Sequence, residues 1–345
     1  MNLWGSPDFD AHEGVHLFTD THSGLRAIIA IHSTELGPAA GGVRYWRYDD
    51  PAHAVTDALR LSRGMSYKNA MAGLPMGGGK AVVLADGEKS NALLEAFGRA
   101  VQSLSGKYVT AEDVGMSDAD MVTIASACQY VSGLPVEKGE AGGDPGPYTA
   151  LGVYLGVKAA AKRALGTDDM KGVRVAVQGV GSVGGGLARR LAADGAVLML
   201  ADVNAERAAA LAAELGGETV STDAILSVEA DIVSPNALGA ILTERSIAAL
   251  KAKAVAGGAN NQLATPEDGR RLYERGILYA PDYVINAGGI INVGLEYLGH
   301  GDEAEVKARI ARIPTRLEEI WAESEVEGRP SSEVADAVAQ RLIGR

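Results

Sequence analysis

The chain has 345 residues, 47% hydrophobic and 22% charged, with a formal net charge of −12 at pH 7. That length gives room for about two domains with a well-buried core, and the ordinary globular balance excludes disorder as the main state. The acidic balance argues against wrapping nucleic acid or lying on an anionic membrane.

The N-terminus, "MNLWGSPDFDAHEG", carries acids where a secretory signal would carry bases followed by an apolar stretch. "VHLFTD" and "LRAIIAIHS" read as strands around the turn "THSG". "DPAHAVTDALRLSRGMSYKNAMAG" reads as a helix capped by Asp50, with Pro51 in its first turn. "KAVVLAD" is a strand, "SNALLEAFGRAVQSLSG" a helix starting at Ser90, and "KYVTAED" another strand. The helix "SDADMVTIASACQYV" follows and carries Cys128, the single cysteine. One cysteine makes no disulfide framework, which points to a reducing cytoplasm. The six histidines are scattered along the chain, and no metal site is expected. Strands and helices alternate, the mark of an α/β layer structure.

"GLPVEKGEAGGDPGP" breaks this rhythm and is taken as the domain boundary. After it come the helix "YTALGVYLGVKAAAKRAL", the strand "VRVAVQGV", a glycine turn, the helix "GGGLARRLAADG" and the strand "VLMLADV". Later strands are read at "DIVSPN", "AVAGGAN" and "ILYAPDYVIN", with a helix at "TPEDGRRLYERG" capped by Thr265 and stopped by Gly276. Two charged amphipathic segments, around 303–324 and 331–343, close the sequence. No run of roughly 18 apolar residues exists, so no membrane span is expected.

Two stretches carry chemistry. Gly179-Val180-Gly181-Ser182-Val183-Gly184 is a G-x-G-x-x-G between a strand and a helix, trailed by a second strand ending in Asp202. Gly179 suits a tight turn, Gly181 a close approach of pyrophosphate, and Gly184 close helix–strand packing, with the helix N-terminus facing the phosphates. Asp202 would accept from ribose hydroxyls and repel a 2′-phosphate, which favours NAD over NADP. In "GLPMGGGKAVVL" three glycines lead to Lys80 at the mouth of an apolar strand, an expensive place for a charge unless the charge is used. Lys68 ends "GMSYK" and Asp113 ends "YVTAED". Two ammonium groups brought together depress each other's pKa, so that one can hold a carboxylate while the other acts as general base.

"AAGGVRYW", "GMSYKNAMAGLPMGGGKAVVL", "TAEDVG", "GGDPGPYTALGV", "GGANNQL" and "INAGGIINV", together with the glycine turn, resemble the amino acid dehydrogenases. These are the leucine, valine and phenylalanine enzymes, which share a fold with glutamate dehydrogenases; the leucine branch is the nearest. The match runs from about residue 15 to 300, every block in order. It implies two α/β domains with a catalytic cleft between them. One is an N-terminal substrate and oligomerisation domain (1–138, with helices from about 315 to 345), the other a doubly wound Rossmann NAD-binding domain (139–314). The implied reaction is reversible NAD-dependent oxidative deamination of an L-amino acid to a 2-oxo acid and ammonium, in a cytoplasmic homo-oligomer.

By position, the resemblance assigns Lys80 and Asp113 to catalysis and Lys68 to the substrate carboxylate, with help from Gly41 and Gly42. It places Thr149 at the nicotinamide carboxamide, Asn260 at substrate and nicotinamide ribose, and Ala237 and Asn286 along the same cleft. Ala40, Ala111, Ile290 and Val293 would wall the side-chain pocket. Ala40 stands where glutamate enzymes place a lysine, so an acidic side chain would be buried unpaired. Ala111 with Val293 favours leucine, isoleucine and valine, and the small Ala40 leaves a phenylalanine-type or broad range open. An NAD-binding sensor without catalysis is the rival from another class. Asn236, where several relatives have Cys, and Gly146, where Ser is common, depart from the family pattern.

Overall fold

The structure, a computed structural model, describes residues 3–134, 140–299 and 301–345. It divides into two compact units: one of residues up to Asp144 with Ile290–Val306 and Ala339–Arg345, the other of Pro145–Gly289 with Lys307–Val338.

The first unit runs β1 (Gly14–Asp20), β2 (Leu25–Ser33), β3 (Ala39–Trp46), α1 (Pro51–Met71), β4 (Gly77–Leu84), α2 (Asn91–Ser103), β5 (Tyr108–Glu112) and α3 (Asp118–Ala125). Its sheet has the order β1-β2-β4-β3-β5; β1 and β2 pair antiparallel, as do β2 and β4, while β3 is parallel to both β4 and β5. The apolar run of β2 is continuous because both faces are buried. Leu25, Ala27, Ile29 and Ile31 pack with Leu93, Phe97 and Val101 of α2, whereas Ile28 and Ala30 pack with Ala54 and Ala58 of α1. The Asp50 side chain accepts from Ala52 N–H and Ser90 caps α2, as the local sequence requires. β3 escaped the sequence reading: two glycines interrupt its pattern, and its edges are completed only by β4 and β5. Cys128 does not sit in a helix. α3 ends at Ala125, three residues earlier, and the thiol is buried in the turn that follows.

The three glycines before Lys80 are required by close packing of the chain on itself. Chain atoms occupy the space: a Cβ at Gly77 would lie 1.9 Å from Ser33 O, at Gly78 2.0 Å from Ser66 N, and at Gly79 2.6 Å from the Tyr108 ring. They bring α1, β2 and the core tyrosine hard against the strand that carries Lys80.

The second unit contains α4 (Gly146–Leu165), β6 (Arg174–Gln178), α5 (Ser182–Ala193), β7 (Val197–Ala201), α6 (Ala205–Leu215), β8 (Glu218–Thr219), β9 (Ile232–Pro235), α7 (Glu244–Ala249), β10 (Ala254–Val255), α8 (Pro266–Glu274), β11 (Leu278–Tyr279) and α9 (Asp282–Ile285). Its sheet is parallel throughout, in the order β11-β10-β9-β6-β7-β8, so the chain winds outward from β6, returns at β9 and winds the other way. This is the doubly wound order, with its reversal between β6 and β9. "ILYAPDYVIN", expected as one strand, is β11 and then α9, because Pro281 ends the ladder and Asp282 opens a helical turn.

The remaining helices are α10 (Gly288–Tyr297), α11 (Glu303–Ile310), α12 (Ile313–Glu327) and α13 (Ser331–Leu342). The division differs from the expected one here. Within the second unit α12 packs on α4 and α9, and Trp321, 1% exposed, donates its indole N–H to Tyr279 O. Ile290–Val306 falls in the first unit, and of the C-terminal segment only Ala339–Arg345 does.

In the first unit, His32 ties β2 to α1 by a 2.7 Å hydrogen bond between Nδ1 and Ser66 Oγ. Burial, with Arg345 and His12 nearby, pulls its imidazole from 6.5 to about 3. It is therefore neutral, and Nε2 accepts from Arg345 at 2.8 Å rather than donating to Asp10 at 3.3 Å. The stability this contributes is complete above the unfolded value near 6.5 and is lost as pH falls towards 3. Urea midpoints at pH 7.5 and 5 are expected to fall further apart in the wild type than in His32→Gln, which cannot charge.

Candidate active site

In the first unit the site is built on the face of β4 that also carries Val82 and Leu84, beneath α1. Lys80 lies within this strand, 5% exposed, and not at its mouth. Its Nζ stands 2.9 Å from Oδ2 of Asp113, the residue immediately after β5. Burial holds Lys80 below its ordinary value and Arg44 pushes the same way, against the pull of Asp113. Burial pushes Asp113 up, but Lys80 and Arg44 together bring it below the ordinary carboxylate range. The pair is a charged acid beside a lysine poised to lose its proton, the arrangement a proton shuttle needs.

Gly41 and Gly42 shape the floor. A Cβ at Gly41 would lie 1.8 Å from Gly79 O, and at Gly42 2.8 Å from the Asp113 Cβ. Tyr108 O–H donates to Gly41 O at 2.5 Å and so fixes this backbone from the core. Ala40 belongs to an apolar cluster with Leu74, Met76 and Val109, against which Ile290 packs. Val293 lies one turn further along α10 and is half-buried, as is Ala111 in β5. Lys68 is half-buried in the last turn of α1. The cation that shares Asp113 with Lys80 is Arg44 of β3, which the sequence reading passed over inside "AAGGVRYW". A charged residue two positions beyond a double glycine was the available signal.

In the second unit the glycine motif forms the turn from β6 into α5, at the sheet's reversal point. Gly179 has φ +82°, and a Cβ there would lie 2.7 Å from Ala237 Cβ, which follows β9. A Cβ at Gly184 would lie 1.9 Å from Gly179 O, so close packing is required there. Gly181 has open space around it and caps α5 without a side-chain hydrogen bond, leaving the N–H groups of the first turn, Ser182 and Val183 among them, to a ligand. Asp202 accepts from Val180 N–H at 2.8 Å and Asn204 N–H at 2.9 Å, and these bonds hold it ionised despite its burial.

Asn286 donates to Asn260 Oδ1 at 2.7 Å and to Gly258 O at 3.2 Å, leaving its own buried Oδ1 without a partner. Gln178, at the end of β6, likewise has a buried orphan Oε1. Open glycine backbone, a free helix N-terminus and orphaned acceptors fit a dinucleotide. Thr149 does not cap α4; its hydroxyl donates back to Pro145 O at 3.0 Å. Asn236 bridges Ser234 to Gly258 N–H and so orders the loop containing Asn260. Gln262, missed by the sequence reading, holds the same loop through Gly257 O and Ala259 O.

Two family models match: Glu/Leu/Phe/Val dehydrogenase, dimerisation domain, over residues 12–130, and Glutamate/Leucine/Phenylalanine/Valine dehydrogenase over residues 199–341. The chain is 48% identical to a leucine dehydrogenase of Geobacillus stearothermophilus, over 99% of this chain and 94% of the relative. It is 46% identical to a valine dehydrogenase of Streptomyces albus, over 97% and 93%. The chain belongs to the Glu/Leu/Phe/Val dehydrogenase family. It is an amino acid dehydrogenase, an oxidoreductase of a family that uses a nicotinamide dinucleotide. The crystal structure of L-tryptophan dehydrogenase from Nostoc punctiforme, 39% identical, matches with a TM-score of 0.85 over 96% of both chains.

Gly181→Ala and Gly184→Ala separate the roles within the motif. Gly181→Ala is expected to keep the wild-type melting temperature but to weaken dinucleotide binding, measured by calorimetry, by tenfold or more, about 1.4 kcal/mol. Gly184→Ala is expected to lower the melting temperature itself.

Proposed function

We propose that this dehydrogenase oxidises apolar L-amino acids, leucine, isoleucine and valine first, to the 2-oxo acid and ammonium, with NAD as hydride acceptor. The buried Lys80 held 2.9 Å from Asp113 carries this reading. Names of the relatives, leucine and valine dehydrogenases, support the substrate class. So does the uncharged wall around Ala40, since an acidic side chain of a substrate buried against Leu74, Met76 and Val109 would have no partner. Asp202 favours NAD over NADP, because a 2′-phosphate would meet a second negative charge. The dimerisation-domain match supports a homo-oligomer, and the acidic chain with one cysteine supports a cytoplasmic location.

When bound, the nicotinamide supplies the hydride acceptor. Lys68 binds the substrate carboxylate, assisted by backbone at Gly41 and Gly42. Neutral Lys80 takes a proton from the substrate ammonium, so the α-carbon of the resulting amine can give up its hydride and leave an iminium. Lys80 hands that proton to Asp113 and, neutral again, takes a proton from the water that attacks the iminium carbon. Asp113 passes protons to and from the carbinolamine until ammonium leaves. Thr149, Ala237, Asn260 and Asn286 orient the nicotinamide end, with the orphaned Asn286 Oδ1 available as acceptor.

Mixing the protein with NAD and L-leucine at alkaline pH is expected to generate NADH absorbance; silence with every branched, aromatic and acidic amino acid would leave a binding protein without catalysis. Because Lys80 must be neutral, deamination should rise with pH through a midpoint below that of an ordinary lysine. Lys80→Ala is expected to remove turnover while NAD affinity stays near wild type. Ala40→Leu should lower kcat/KM for L-phenylalanine relative to L-leucine by at least about tenfold, the scale on which apolar pockets discriminate by size.

A further inference from the structure

Nothing assigned above uses Arg44, yet its guanidinium joins two elements of the site. Nε donates to Asp113 Oδ2 at 3.1 Å, and Nη1 to Oδ2 of Asp57 on α1, also at 3.1 Å. Tyr48 O–H donates to the same Asp57 oxygen at 2.7 Å. Lys80, Asp113, Arg44 and Asp57 therefore form one chain of alternating charge, two cations and two carboxylates, from β4 across β3 to α1. Lys80 and Arg44 both take Asp113 Oδ2, and among the described residues no hydrogen bond occupies Oδ1.

We propose that Arg44 is a positioning residue that holds the Asp113 carboxylate in register with Lys80, with Asp57 as its own anchor. The proposal rests on the proton-shuttle reading of Lys80 and Asp113 and names what orients that pair. A planar guanidinium suits the task because two of its nitrogens reach separate carboxylates at once, and because it does not lose its charge near neutral pH. A lysine at position 44 would supply the charge but not the span. With Oδ2 held by two cations, Oδ1 is left to exchange protons with substrate or water.

The groups around Lys80 define the signs. Asp113 comes from the end of β5 and Arg44 from β3; α1 brings Asp57 and carries Lys68; from β2 the cross-strand neighbour is Ala30, which is apolar. Tyr108 of β5 is in the core cluster with α2. Removing Arg44 takes a like charge away from Lys80 and leaves it the undivided attraction of Asp113. Removing the Asp57 charge does the opposite, and frees Arg44 to bind Asp113 alone.

The test is the pH dependence of kcat/KM for L-leucine oxidation in the wild type, Arg44→Gln, Arg44→Lys and Asp57→Asn. The rising limb is expected to move up by about one pH unit in Arg44→Gln and down in Asp57→Asn, since neighbouring charges shift a pKa on this scale. Arg44→Lys is expected to restore the limb towards wild type at reduced kcat. A merely structural role would lower activity or stability in these variants without moving the limb in opposite directions. An unmoved limb in Arg44→Gln, or equal shifts in both, overturns the proposal. Trace acetylation of Lys80 across pH, read by peptide mass spectrometry, follows the same proton without turnover. If its midpoint moves as stated while no variant or wild type oxidises any amino acid, the network stands and the deamination reading falls. If turnover is intact and the midpoint does not move, the network falls.

Discussion

The first unit is organised around one buried ion pair. An ammonium placed inside a central strand, 5% exposed, is tolerable only because a carboxylate stands 2.9 Å away and because further charges continue the alternation. Much of the surrounding backbone follows from that need. Glycines on β3 and β4 let strands, helix and tyrosine ring close to contact distance, so that water is displaced and Lys80 is held below its ordinary pKa. Asp113 is delivered to the pair by the end of β5, whose register with β3 sets Gly42 opposite Ala111.

The second unit solves a different problem, binding a polyanion without a dense patch of positive side chains on an acidic chain. The parallel sheet reverses direction beside β6, and the turn there exposes backbone N–H groups at the head of α5. Asp202 accepts from Val180 N–H and so pins the turn. The orphaned acceptors on Asn286 and Gln178 have the same character. A buried amide oxygen without a partner costs free energy that a binding partner can return.

Elements with strong local signals were legible. Asp50, Ser90 and Thr265 each begin a helix where a side-chain oxygen followed by a periodic run predicts one. β3 was not legible, because "AAGGVRYW" has neither clean alternation nor a continuous apolar run and is stabilised by its two neighbours. The segment at Tyr283 read as strand from its β-branched residues until Pro281 and Asp282 turned it into a helix. Cys128 looked helical by composition, yet α3 had already ended. The division between units was hardest to read: α12 resembles any charged surface helix, yet it packs on α4 and α9 and its Trp321 donates to Tyr279 O, which ties it to the dinucleotide-binding unit.

By itself the sequence determined the α/β class, the glycine turn with its trailing acid, and the family to which Lys80 and Asp113 belong, since each of these is written in short-range spacing. Tertiary structure alone decided that Arg44 and Asp57 complete the charge chain and that the triple glycine is filled by the protein's own atoms. Those contacts join residues distant in sequence. A carboxylate finds its cation through strand register and helix packing, and spacing along the chain carries no record of that choice.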